Sequence, residues 1–237
     1  MKTNWVWEHN GNDSLLYSVD LVGAFTRGAS KAEALSKIQQ EAVSYLRWRG
    51  APIPVSFEVT ISQEQDSELA IRDADSDVIF TEEEKPLTRE EYAQLKALAL
   101  RSARDFLTLY NAIPDKNRSC LPERRTFYGQ APRTANEMYL HTKNVNAYYF
   151  GEIGVEADNA GTIAECRQRG FEALEKKPDF LNCPVLAGSY GEKWSVRKVL
   201  RRFVWHDRIH ARAMYRMAQK TFGPEKIPDV FAFNVES

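Results

Sequence analysis

The sequence predicts a small α+β unit followed by an all-helical half of four helices, and three observations predict it. Charge divides the chain: residues 1–87 carry 8 Lys and Arg against 15 Asp and Glu, a net −7, whereas residues 88–237 carry 24 against 18, a net +6. Hydrophobic periodicity divides it near the same place. Short alternating, glycine-punctuated segments precede Lys85-Pro86, and three-and-four spacing follows it. Three Thr-x-x-Glu pairs, each opening a run of helix formers, all fall in the second half. With 237 residues, 43% of them hydrophobic, the chain is long enough for two modest cores. The expected division is an α+β domain over 1–82, a helical domain over 88–223 and a tail over 224–237.

In the first unit, Leu15 to Phe25 is rich in strand formers, and Gly23 and Gly28 bracket a short segment that reads as a hairpin or bulged strand pair. Ser30 and Glu33 then form a capping box ahead of Ala34, Leu35, Ile38, Ala42, Val43 and Leu46, which share one helical face until Gly50 stops the helix. Beyond Pro52 and Pro54, Val55, Phe57, Val59 and Ile61 alternate with polar residues, the period of a half-buried strand. The predicted order is β-β-α-β. Asp73, Asp75, Asp77 and Glu84 occupy calcium-loop positions, but the sixth position is Val78 where that loop needs glycine, so a solvated acidic strand or linker is expected.

In the second half, Thr88 with Glu91, Thr134 with Glu137 and Thr162 with Glu165 start helices over 89–112, 135–151 and 163–177. Ser195 caps a fourth, which Gly223-Pro224 ends after Phe222. The connections 113–133 and 178–193 are long enough to cross the helices or cover one end of them. The closing segment carries a short apolar run that packs back on the surface.

The fourth helix holds the sharpest pattern. Val196, Val199, Phe203, His206, His210, Ala213 and Met217 recur at three and four residues and define one inward seam. Residues four apart stack with Cβ atoms about 5–6 Å apart, close enough for His206 and His210 to share one ion. In the second helix, Met138, His141, Val145 and Tyr148 follow the same rhythm, so His141 should face inward too. The competing expectation is three neutral rings satisfied by hydrogen bonds, the usual state of a buried histidine. One divalent cation would instead absorb three lone pairs, with Zn²⁺ or Ni²⁺ the best match to imidazole, Fe²⁺ a further candidate, and at least one coordination position open. An open position implies chemistry through a bound water or thiolate. HDRIH also approaches the HExxH of zinc proteases, but Asp replaces Glu and no downstream histidine completes that site.

Asp207 sits about 100° around the helix from His206 and is expected to support the site or lie on the surface rather than to be a ligand. Lys198, Arg201, Arg202, Arg208, Arg212 and Arg216 make the fourth helix cationic outside its seam, which reads as a solvated face able to guide anions. Trp194, Trp205, Tyr148 and Tyr149 are candidates to line a pocket beside the histidines. His9 reads as structural.

Two resemblances add to this reading. VDLVGAFTRGASKAEAL, a long helix and GAPIPVSF resemble the small HicB-like domain of antitoxin proteins, through Gly23, Gly28, Ser30, Glu33 and Ala34, over about residues 1–65. That resemblance implies a partial RNase-H-like fold that binds a protein partner. Residues 88–222 resemble the DinB-like superfamily, through Thr134-x-x-Glu137 leading to His141 and WSVRKVLRRFVWHDRIHARAM with its His206-x-x-x-His210. This one implies an up-down-down-up four-helix bundle in which His141, His206 and His210 bind a divalent metal. It also brings thiol transferases and isomerases that use low-molecular-weight thiols into view, beside the hydrolase chemistry an open metal position allows. The alternative is a non-catalytic protein whose HicB-like half binds a partner and whose metal is structural or absent.

Several classes are excluded or disfavoured by composition. No segment approaches the roughly 20 apolar residues of a membrane span, and MKTNWVWEHN lacks a signal core, so a cytoplasmic protein is expected. Cys120, Cys166 and Cys183 share no CxxC spacing, which speaks against disulfides or a thiolate zinc site. Neither half is basic enough to imply nucleic acid. A homodimer through helix faces is compatible with the pattern.

Overall fold

Trp5 and Val6, neighbours in sequence, end up on opposite sides of a sheet, and that placement organises the whole molecule. In the computed structural model, which describes residues 1–126 and 129–235, the first residues form strand β1 (Lys2–Asn10). It is followed by β2 (Asp13–Ser18), β3 (Phe25–Gly28), helices α1 (Lys31–Ser36) and α2 (Ile38–Arg49), and β4 (Glu58–Asp66). The observed order is therefore β-β-β-α-α-β. The opening strand is the element sequence reasoning missed, and the predicted single helix is divided at Lys37. The four strands run in the order β3-β2-β1-β4, with β1 antiparallel to β2, β2 antiparallel to β3, and β1 parallel to β4.

Side-chain alternation gives this sheet two apolar faces. Trp5 and Leu16 face α1 and α2 and join a core that continues through the C-terminal helices to Phe231. Val6, Leu15, Tyr17 and Phe25 face the other way, where Ile71, Val78 and Phe80 of the following segment cover them together with Trp205. The closing segment, described to residue 235, is also anchored, because Phe231 is fully buried and its ring lies 5.2 Å from Trp48.

The C-terminal half is helical, and each start is where its capping residues put it. Helix α3 (Arg89–Ala112), α4 (Ala135–Gly151) and α5 (Ile163–Leu174) open on Thr88, Thr134 and Thr162, each with a complete capping box. Helix α6 (Val196–Phe222) opens on Ser195, whose hydroxyl accepts from the Lys198 amide. Helix α6 packs on α3 and α4, and α5 packs on both α3 and α4. No helix among the described residues is long and apolar enough to cross a membrane.

One glycine shows how closely the two halves approach. Gly23, at φ 92°, closes the turn between β2 and β3 directly against Val204 of α6, where an added Cβ would overlap the valine side chain and backbone. Only glycine combines that conformation with that proximity.

The basic side of α6 departs from expectation. Lys198, Arg201, Arg202 and Arg208 are buried, because the N-terminal unit and the 178–193 connection lie over them rather than solvent. Each finds a carboxylate: Arg201 pairs with Glu83, Lys198 with Glu192 at 2.9 Å, Arg202 more distantly with the same Glu192 at 3.9 Å, and Arg208 shares Glu41 of α2 with Arg212. Sequence periodicity reports that a face is charged, and long-range contacts decide whether that face meets water.

Candidate metal centre

Helix geometry builds the centre from two elements. His206 and His210 lie one turn apart on α6, with ring centroids 4.4 Å apart. Helix α4 packs alongside and brings the His141 ring to 4.6 Å from His210 and 5.2 Å from His206. One potential ligand atom from each ring lies within 4.8 Å of the other two. The three histidines proposed from spacing therefore converge, and among the described residues no carboxylate or thiolate joins them.

Their setting differs from the inward seam expected. Phe203 of α6 is fully buried, His206 nearly so, His210 half-buried and Ala213 exposed, so the seam leaves the core at His210 and Ala213 and returns to it at Met217. On α4 the buried positions are Ala135, Met138, Tyr139, Thr142, Asn146, Tyr149 and Phe150, which leaves His141 solvent-accessible. The cluster consequently sits at the wall of a cleft and not within the helical core. That cleft encloses about 1540 Å³, and its far side is formed by β3, α2 and the 69–77 segment.

Electrostatics keep the rings neutral. Burial lowers the pKa of all three, and it pushes His210 down to about 3 with repulsion from His141 adding to the effect. His206 is shifted well down by burial, by the neighbouring His210 and His141, and by the charges of Arg202 and Arg167. A neutral imidazole keeps one lone pair free for a ligand bond. None of the three rings has a hydrogen-bond partner among the described residues, and Nδ1 of His206 is buried with none. No protein group among the described residues satisfies the buried Nδ1 of His206, while His141 and His210 are open to solvent. An unpaired polar nitrogen in a buried setting costs free energy, and a shared cation would relieve that cost at His206.

The surrounding residues sort as follows. Tyr148, Tyr149 and Trp205 line the cleft, while Trp194 is fully buried behind them, its ring 5.3 Å from Tyr149. Both long connections reach the cleft, the first through Arg124 and Gln130 and the second through Tyr190 and Glu192; residues 127 and 128 of the first lie outside the described residues. Asp207 is neither a surface residue nor a support for the histidines. It is fully buried and takes two hydrogen bonds from Arg167 of α5, the Nη2 contact at 3.0 Å. His9 stacks on Trp7 at 4.0 Å and meets Glu64 at 3.1 Å, far from this site in role. In the acidic 73–84 segment, Asp73 pairs with Arg124, and Glu83 with Arg201.

Comparison with known proteins returns no match, whether with family models, curated proteins or solved structures. The chemistry of the site thus rests on its own geometry.

Sequence reasoning missed the opposite wall of the cleft. Arg27 and Glu41 carry no motif, and their proximity to α6 depends on a sheet whose first strand was not foreseen. The only signal was the excess of basic residues on α6, which requires acidic partners if any of that face is covered.

Proposed function

We propose that this chain is a DinB-like metalloprotein in which His141, His206 and His210 hold one divalent cation, Zn²⁺ or Ni²⁺ before Fe²⁺, at the wall of an open cleft. The observation that carries the proposal is the convergence of three neutral imidazoles, with ligand atoms within 4.8 Å of one another and no competing hydrogen bonds. An all-imidazole donor set matches these borderline cations, and a site open to a cleft differs from the closed four-ligand arrangement of structural zinc. The four capped helices, with histidine on α4 and the pair on α6, support the family reading and its four-helix bundle. The strand order β3-β2-β1-β4 with β1 and β4 parallel likewise supports a HicB-like, partial RNase-H-like N-terminal unit.

The reaction proposed is transfer to or from a low-molecular-weight thiol, or hydrolysis. A divalent cation in this site supplies Lewis acidity to a bound substrate, thiol or water. The chain itself supplies the three fixed ligands, an aromatic wall from Tyr148, Tyr149 and Trp205, and a cleft large enough for a small molecule.

Elemental mass spectrometry on untagged protein tests the proposal, beside a His206→Ala, His210→Ala double variant. Near-stoichiometric zinc or nickel in the wild type, lost in a folded variant, is the expected result and justifies screens for thiol transfer and hydrolysis. Metal-free wild type that also rejects added Zn²⁺ and Ni²⁺ would overturn it and leave partner binding by the N-terminal unit as the function to pursue.

A further inference from the structure

Two exposed aromatic rings stand at the histidine cleft. Among the described residues the exposed aromatic side chains are Tyr148, at 37%, and Tyr190, at 98%, and both line that cleft although they belong to different elements. A single apolar side chain in water is ordinary. Two aromatic rings from α4 and from the 178–193 connection at one opening mark that opening as a place where a ligand packs.

Tyr190 is also held in a costly backbone conformation. It occupies the tip of a hairpin whose short antiparallel strands are Leu186–Ala187 and Lys193–Trp194, and its φ of 61° and ψ of 18° are left-handed. Both ends of the tip are fixed. The Gly188 amide donates to the Glu192 carbonyl at 2.8 Å, the Ser189 amide donates to the Glu152 carboxylate at 2.7 Å, and a Cβ at Gly188 would collide with Glu152 and Trp194. Glycine would adopt the Tyr190 conformation without strain. The other non-glycine residues with left-handed backbones are Ala74, Asp179, Cys183 and Ala232, so Tyr190 alone among them carries a large ring into solvent. Strained positions of this kind cluster at ligand clamps.

From the hairpin tip to the histidines the cleft offers apolar surface. His141, Val145 and Tyr148 succeed one another at four and three residues along α4 and all line the cleft, as do Trp205 and Ile209 beside the histidine pair on α6. Trp194 stands edge-on to Tyr148 with ring centroids 5.8 Å apart, which orients the tyrosine ring. Acidic and basic side chains line the cleft in equal number among the described residues. Net charge therefore selects no ligand, and selection falls to shape and apolar contact.

We propose that the cleft binds a substrate carrying an aromatic ring, which packs on Tyr148 and is covered by Tyr190. Flat tyrosine rings favour offset or edge-on contact with a second aromatic ring over contact with a saturated one of the same size. Tyr148 lies seven residues beyond His141, roughly 10 Å along the α4 axis at helical rise, so a short linker separates the ring of the substrate from its reacting group. This assignment rests on the metal reading for where the reaction occurs, and on the two tyrosines for the binding itself.

The test compares 2-naphthol with decahydro-2-naphthol, an aromatic and a saturated probe of similar size, by calorimetric or ligand-observed NMR titration of full-length protein with and without added Zn²⁺. Wild type should bind 2-naphthol the more tightly. Tyr190→Leu should weaken that binding between about twofold and tenfold and leave the weaker binding of the saturated probe nearly unchanged, whereas Tyr190→Phe should bind 2-naphthol as wild type does. The ring of Tyr190 is fully exposed, so neither variant should alter the melting temperature. No preference for the aromatic probe in wild type, undiminished binding by Tyr190→Leu, or a Tyr190→Phe variant as weak as the leucine one would each overturn the inference. Zinc loading without aromatic preference would overturn this inference alone, and Tyr190-dependent aromatic binding in protein that takes up no zinc would overturn only the metal reading.

Discussion

Arg208 Nη2 donates to Glu41 Oε1 at 3.0 Å, and both side chains are sealed from solvent. This contact ties α2 of the sheet unit to α6, two residues before His210. Burial alone would raise the Glu41 carboxyl, but the charges of Arg212 and Arg208 outweigh it and hold it below the ordinary range. Replacing Glu41 with Gln leaves two guanidinium groups without their counter-charge, one of them fully buried with Nε and Nη1 already unpartnered. Removing one partner of a buried pair costs about 3–5 kcal/mol. E41Q should lower the urea midpoint accordingly; a change within experimental error would show that the two units do not depend on this contact.

Gly23 makes a second, independent prediction about the same junction. Gly23→Ala combines a left-handed backbone, at φ 92°, with overlap against Val204. Strain of the first kind and overpacking of the second each cost on the order of 1–3 kcal/mol. Trimming the neighbour with Val204→Ala should restore part of the loss in the double variant, because only the steric share depends on that side chain. Additive destabilisation in the double variant would remove Val204 from the explanation.

The local code of this chain was legible and its long-range code was not. Thr88, Thr134, Thr162 and Ser195 announce their helices because capping chemistry acts over three residues. The three histidines were found because helical spacing on α6 fixes two of them, although the exposure of His141 depends on which neighbours leave α4 uncovered. Strand β1 escaped notice because Trp5, Val6 and Trp7 follow one another without simple alternation; both sheet faces are covered, so both accept apolar residues. Asp207 and Arg167 are 40 residues apart in sequence and carry no mutual signal, yet they form a fully buried pair.

Metal binding should appear as stability. A ligand bound only by the folded state adds about 4 kcal/mol when its free concentration is about 1,000 times its Kd. Added Zn²⁺ should therefore raise the melting temperature of EDTA-dialysed protein. His141 is the most informative single replacement, because it is exposed and its loss opens no core cavity. His141→Ala should leave the metal-free melting temperature nearly unchanged and abolish most of the zinc-induced rise. An equal rise in wild type and variant would mean that zinc binds elsewhere.

Acid should weaken the metal-free protein through these same rings. The folded pKa values of His206 and His210 are depressed, His210 to about 3, so the unfolded chain takes up protons that the folded chain refuses once the pH drops below the ordinary histidine value. Their contribution to stability is complete above about pH 6.5 and is lost as pH falls toward the folded values. Each ring gives up at most about 1.4 kcal/mol per pH unit in that interval. The Glu41 carboxylate, also depressed in the folded state, adds its own loss only at more acidic pH, below its ordinary value of 4.5. Urea unfolding of metal-free protein at several pH values from 7.5 to 4.5 should give a falling stability in wild type and a flatter profile in a His206→Gln, His210→Gln variant. Parallel profiles would show that the two rings take up protons in the folded protein as readily as in the unfolded chain, and would remove burial as a determinant of their charge.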